Sequence, residues 1–201
     1  MKKSILAILL ALVMVASLLP ATALADGTIF EVSTQEALEN VLARAQDGDT
    51  VRLVDDIAID VTDTGTDTLV PMLYINSDIT LDLNKHELGY DQTNLDVSLV
   101  CTPCLICVYG ANVTITGNGT IDAEAKNNNA YGINVVNNGS LSIENGNFYG
   151  AITAIQVQSG RLNIYGGTYQ FAETAASSAP DSYKKYIINV TLHYIQNIFF
   201  H

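Results

Sequence analysis

Short apolar pairs separated by one polar residue recur along most of this chain. Ile79/Leu81, Val113/Ile115, Leu141/Ile143 and Leu162/Ile164 alternate with period two, and glycine- or asparagine-rich turns follow them. Alternation of this kind predicts short strands with one buried face. The pairs also align with one another. Between Tyr131 and Phe171 the segment YGINVVNNGSLSIENGNFYG is followed by TAIQVQSGRLNIYGGTYQF. Ile133 and Val135 match Ile155 and Val157 at an offset of 22. Gly139, Leu141, Ile143, Gly146 and Phe148 match Gly160, Leu162, Ile164, Gly167 and Tyr169 at 21. A repeat of this length, made of strands and turns, predicts a solenoid in which each coil stacks on the last.

The spacing between equivalent pairs is 34, then 28, then 21 residues, so the earlier coils carry loop excursions. Thr62–Thr68 and Tyr90–Val97 are the polar stretches expected to leave the coil. Leu88, Ile121, Phe148 and Tyr169 are expected on the next strand round. Gly117, Gly119, Gly139, Gly146, Gly160, Gly166 and Gly167 are expected at corners. A sandwich or barrel would join its strands by hairpins, without side-chain register at 21 to 22. The reading is therefore all-β: a parallel β-helix of about five coils over residues 50–171.

Two segments have a different rhythm. In residues 26–49, Ser33 is the expected N-cap of a capping box with Glu36. Ala37, Leu38, Val41, Leu42 and Ala45 then form one apolar stripe, ending at Gln46-Asp47-Gly48-Asp49. One amphipathic helix ahead of a solenoid is expected to cover the open end of its core. Residues 172–201 begin as a small-residue linker and end in the strand-prone run Tyr183–His201. That tail is read either as the start of coils lost from a longer protein or as a segment folding back over the stack.

Residues 1–25 have the layout of an export signal: Lys2-Lys3, the apolar run Ile5–Leu19, then Ala23-Leu24-Ala25 with cleavage expected before Asp26. The chain is thus expected to be secreted or displayed on the cell surface. Removing Lys2 and Lys3 takes the formal charge from −12 to −14. Nucleic acid and anionic membrane surfaces need clustered Lys and Arg, so neither is an expected partner. Polyanionic polysaccharide would also be repelled unless cations bridged it.

Candidate chemistry is sparse. Asp55-Asp56 is an adjacent acidic pair after the first strand, and Asp82 is the next acidic residue to consider on a coil face. A hydrolase would need two carboxylates facing each other across one such face. Asp60, Asp63 and Asp67 offer oxygens to Ca²⁺ but without the dense spacing of a dedicated loop. Cys101, Cys104 and Cys107 fall short of the four ligands of a structural zinc site. They are read as small apolar residues near the core, with a Cys101–Cys104 disulfide as the alternative. Tyr74, Tyr90, Tyr109, Tyr131, Tyr149 and Tyr165 are candidates for a platform on which sugar rings lie. Of these, Tyr131, Tyr149 and Tyr165 are the ligand-binding candidates. No metal or cofactor is required by any of these readings.

The phrases DGDTVRLVDDI, ITLDLNKHEL, LSIENGNFYG and LNIYGGTYQF resemble the pectin lyase-like, right-handed parallel β-helix proteins. More narrowly they resemble the exported β-helix proteins of anaerobic, gut-type bacteria. The resemblance covers Thr28 to Tyr169 and implies an N-terminal helix capping the coils. It also implies that the tail phrase KKYIIN leads into further coils. That fold hosts lyases, hydrolases, adhesins and passenger domains. The hydrolases' Asn-Thr-Asp, Gly-His-Gly and Arg-Ile-Lys runs are missing here. Arg44, Arg52 and Arg161 are placed on the helix, the first strand and a turn, and no cluster of Asp or Glu accompanies Arg161 as a lyase base would need. The expected function is a non-enzymatic module that binds polysaccharide or cell-surface glycan. A carbohydrate-active enzyme or its N-terminal fragment, and a plain structural spacer, are the alternatives.

Overall fold

A computed structural model describes residues 27–61, 69–91, 101–124, 130–171 and 188–190. The expected export signal, most of both polar excursions and nearly all of the tail lie outside the described residues. Those that are described form sixteen strands and one helix.

The strands fall into three sheets. Sheet A contains β1 (Ile29–Val32), β2 (Thr50–Leu53), β5 (Thr80–Asp82), β8 (Asn112–Thr116), β11 (Gly139–Ile143) and β14 (Gly160–Ile164). Sheet B contains β3 (Ile57–Ile59), β6 (Glu87–Tyr90), β9 (Thr120–Ala123), β12 (Asn147–Gly150) and β15 (Thr168–Phe171). Sheet C contains β4 (Leu69–Ile75), β7 (Thr102–Tyr109), β10 (Tyr131–Val136), β13 (Thr153–Val157) and β16 (Ile188–Val190). The chain visits A, B and C in turn five times, and neighbouring strands all pair in parallel. This is a parallel β-helix of five coils.

The register is the one the repeat predicts. Ile133 and Val135 pair with Ile155 and Val157, and Leu141 and Ile143 with Leu162 and Ile164. Inside sheet B the column runs Ile57, Leu88, Ile121, Phe148, Tyr169. Sheet C stacks Leu73, Ile106, Ile133 and Ile155, and sheet A stacks Leu81, Ile115, Ile143 and Ile164. Every residue in these columns is buried except Tyr169, which is partly so. Each buried Leu, Ile or Phe contributes about 1.5–3 kcal/mol, so the columns supply most of the cohesion between coils. The Phe148 and Tyr169 rings stack at 5.1 Å, with Tyr169 Oη donating to the Gly166 carbonyl at 2.8 Å.

Two kinds of corner close the coils. Gly160 has φ +153, and a Cβ there would lie 2.2 Å from the Gly139 carbonyl oxygen, so only glycine fits. Elsewhere asparagine does this work. Asn137 and Asn138 have φ of 53 and 61, and Asn84 has φ 48, in the left-handed region that asparagine tolerates.

The helix α1 (Gln35–Leu42) covers the start of the stack, burying Leu38, Val41 and Leu42 against β1 to β4. Its N-cap is Thr34 rather than the expected Ser33. β1 extends to Val32, and Thr34 keeps extended angles while its Oγ1 accepts the Ala37 N–H at 3.2 Å. The helix also stops earlier than its apolar stripe. Ala45 is buried but lies in the turn beyond, where Arg44 N–H already bonds to the Val41 carbonyl. The Arg44 guanidinium sits 5.4 Å over the Phe30 ring.

One further expectation changes. Tyr90, expected to open a polar excursion, belongs to β6 and is buried, its Oη donating to the Tyr131 carbonyl at 3.2 Å. The three cysteines are buried, as their reading as small apolar residues near the core expects, and the alternative disulfide is not formed. Cys104 Sγ donates to the Ile106 carbonyl at 3.2 Å. Ile188–Val190 pairs parallel with β13 and supplies the third strand of the fifth coil, and the rest of the tail lies outside the described residues.

Asp49 ties the cap to the stack. It is buried, its Oδ1 accepting the Thr28 N–H and its Oδ2 the Gln46 N–H, both at 2.8 Å. Asp49→Ala strands two part-buried donors, and each lost partner costs about 1–3 kcal/mol. Urea unfolding of this variant should show a stability loss of at least about 2 kcal/mol. An unchanged midpoint would mean that water replaces the carboxylate.

Candidate functional site

The outward face of each sheet is a set of rows, one residue per coil, with rungs about 4.8 Å apart. The acidic candidates do not converge. Asp55 Oδ1 accepts the Asp56 N–H, and Asp56 Oδ1 accepts the Glu87 N–H, both at 2.9 Å. Asp56 also lies 3.3 Å from His86 Nδ1. Asp82 is on another sheet, ion-paired to Arg52 Nε at 2.8 Å and accepting the Asn84 N–H at 3.0 Å. Each of these carboxylates fastens a turn or bridges two coils.

A different acidic pair lies on sheet B. Leu88 pairs with Ile121 and Gly89 with Asp122, so Glu87 and Asp122 are diagonal neighbours on the outward face. Gly89 leaves the gap between them: a Cβ there would meet Asp122 Cβ at 3.3 Å and Glu87 Oε1 at 3.5 Å. A cavity of about 110 Å³, lined by Asp56, Ala58, Glu87 and Gly89 among others, opens beside it. Desolvation raises the Glu87 pKa above the usual carboxylate range, helped by the charges of Asp122 and Asp56. Burial raises that of Asp122 as well, against the Glu124 N–H bond that lowers it and with the Glu124 charge adding to the rise. The pair was hidden in the sequence because its members are 35 residues apart, although aligning Leu88 on Ile121 brings them together.

The tyrosines are dispersed. Tyr131 is on sheet C, Tyr149 on sheet B, and Tyr165 just past β14 at the end of sheet A. Burial raises the pKa of Tyr131, with Cys104 adding to the rise. Tyr165 is 60% exposed, whereas Tyr131 and Tyr149 are half-buried. The aromatic pair that does share a face is Tyr74 and Tyr109, 54% and 50% exposed on adjacent strands of sheet C.

Tyr109 ends β7, at the corner where sheet C hands over to sheet A, and a groove opens at the same corner on the later coils. The groove has a volume of about 370 Å³ and is lined by Asn112, Asn138, Ser140, Gln158, Ser159, Gly160 and Arg161. Bonds between coils hold its floor: Asn137 N–H to Ser159 Oγ at 2.7 Å, Asn138 N–H to the Ser159 carbonyl at 3.0 Å, and Ser140 N–H to the Ala111 carbonyl at 2.8 Å. Asp78 holds Asn112 through both oxygens, to the backbone N and to Nδ2, each at 2.7 Å. Asn112, Ser140 and Arg161 then form one outward row on three successive strands. Arg161, expected in a turn, is a strand residue of β14.

On sheet C, Asn134 and Gln156 are paired in register and buried, and neither side-chain carbonyl oxygen has a hydrogen-bond partner. Among the described residues no group of three His, Cys, Asp or Glu is disposed to hold a metal ion. Of the calcium candidates, Asp60 is described, its N–H bonded to Gln35 Oε1, while Asp63 and Asp67 lie outside the described residues. Comparison with known proteins returns no matching family model, no matching curated sequence and no matching solved structure. The class that can be stated is therefore that of the fold, a parallel β-helix.

The Glu87–Asp122 pair yields a pH prediction. A carboxylate whose folded pKa is raised favours the folded state when protonated, and that contribution is lost as pH rises through the folded pKa. Glu87→Gln removes the charge at neutral pH. The variant should therefore melt above the wild type near pH 7, and the gap should close as pH falls to the ordinary carboxylate range. A gap independent of pH would show that the two groups do not interact with the fold in this way.

Proposed function

We propose that this protein is an exported β-helix module that binds glycans along the corner between sheets C and A without turning them over. The observation that carries the reading is the composition of that corner. Two exposed tyrosines, Tyr74 and Tyr109, lie on sheet C, and the corner between sheets C and A carries a groove of amides, hydroxyls and one guanidinium. Sugar rings present apolar faces that lie on aromatic rings and hydroxyls that pair with planar amides. Sites of this kind need fixed polar groups on a rigid support, and the inter-coil backbone bonds provide one. Kinship with pectin lyase-like β-helix proteins of gut-type bacteria, export by residues 1–25 and a role in adhesion to polysaccharide or cell-surface glycan belong to the same proposal.

A second reading has its own observation. Two carboxyls with raised pKa beside a cavity, Glu87 and Asp122, are the groups from which a hydrolase takes a proton donor and a base or nucleophile. The two readings occupy different sheets and separate cleanly.

A glycan array probed with the full chain, with reducing-end release measured in parallel, tests both. Binding without release is the expected result. Tyr109→Ala and Gln158→Ala should each weaken binding about fivefold, the size of one contact worth about 1 kcal/mol. Glycan release abolished by Glu87→Gln or Asp122→Asn would replace this reading with the enzymatic one. Absence of both binding and release would leave the spacer.

A further inference from the structure

We infer that the groove selects saccharides carrying a single anionic substituent, a carboxylate or a sulfate ester, which seats on Arg161; this rests on the glycan-binding reading above. Among the described residues, the ion pairs are Arg52–Asp82 and His86–Asp56, and Arg161 belongs to neither. The other described cations are placed elsewhere. Arg52 is paired, Arg44 covers Phe30, and Lys85 lies on the turn between β5 and β6, across sheet A from the groove. Arg161 thus presents an exposed, uncommitted guanidinium inside a groove whose lining contains no carboxylate.

The surrounding charges leave that cation effective. In its own row the nearest carboxylate is Asp78, three strands away. That is about 14 Å at the usual strand spacing, beyond a screening length of about 8–10 Å in ordinary salt. Both Asp78 oxygens are also engaged by Asn112. A guanidinium offers a planar fork of N–H donors that fits two oxygens of a carboxylate or sulfate.

The row is directional as well. Asn112 directs one Nδ2 N–H to Asp78 and keeps its Oδ1 as an acceptor for a ligand. Ser140 follows as donor or acceptor, and Arg161 donates at the far end. The three groups span about 10 Å, two strand spacings. A short saccharide lying along them would place its acidic group at Arg161 and a hydroxyl donor at Asn112. The whole chain carries a formal charge of −12, so each further anionic group on the ligand meets repulsion with no second cation in the groove. The preference is for sparse charge and against polyanions.

Calorimetric titration of the full chain tests this. The ligands are a disaccharide of one uronic acid and one neutral sugar, its carboxyl-reduced counterpart, a monosulfated disaccharide and polygalacturonate. An advantage of about tenfold is expected for the singly charged disaccharides over the neutral one, falling as salt rises. The two acidic arms decide which anion is preferred. Arg161→Gln should erase the advantage, so that acidic and neutral disaccharides bind the variant alike, and an unfolding midpoint equal to that of the wild type shows that the variant is folded. Polygalacturonate should bind more weakly per site than the uronic disaccharide. Equal wild-type affinity for acidic and neutral sugars, or an advantage that survives in Arg161→Gln, overturns the inference and leaves glycan binding standing. Failure of every saccharide to bind overturns the glycan-binding reading with it.

Discussion

The parallel backbone ladder between successive coils is the constraint from which the rest of this molecule follows. Each coil donates and accepts along its length with the coils before and after it, so neighbouring coils share one register. A slip of one residue would turn Leu141 and Ile143 outward and Ser140 and Ser142 inward. The apolar columns enforce the register, and the register places every outward side chain. Leu162 must lie on Leu141, and for that reason Arg161 lies on Ser140. Core and groove are two readings of one alignment.

Most of the described aspartates have a structural role. Asp47, Asp49, Asp55, Asp56, Asp78, Asp82 and Asp122 each accept a backbone N–H at a corner or between coils. A three-sided coil turns often, every turn leaves N–H groups unpaired, and the short aspartate side chain reaches them. Few basic residues are needed for such corners, and few are present. Lone cations are correspondingly conspicuous.

Sequence patterns made the coil register legible because the inward residues announce themselves by type. Ile133 on Ile155 and Phe148 on Tyr169 follow from two similar phrases laid side by side. The helix was legible as well, but its N-cap was displaced by one residue, since Ser33 and Thr34 both cap well and only the length of β1 decides between them. The outward face was harder to read. Glu87 meets Asp122 only once a long loop is discounted, and nothing marks Gly89 as the gap between them. Residue type alone points to the tyrosines, yet Tyr131 and Tyr149 are half-buried on different sheets, whereas Tyr74 and Tyr109 share one. Burial of an outward residue depends on neighbours far away in sequence, which a local pattern does not record.

The uniform rise per coil has one more consequence. Along the corner groove the polar groups are divisions on a ruler whose unit is the strand spacing, set by peptide geometry and not by any ligand. A polymer whose own repeat differs from that unit drifts against it like a vernier scale. Alignment is then good over one or two divisions and lost beyond them. Adding coils would lengthen such a molecule without extending the stretch of polymer it holds in phase. Recognition on a scaffold of this kind is therefore intrinsically short-range, however long the scaffold becomes.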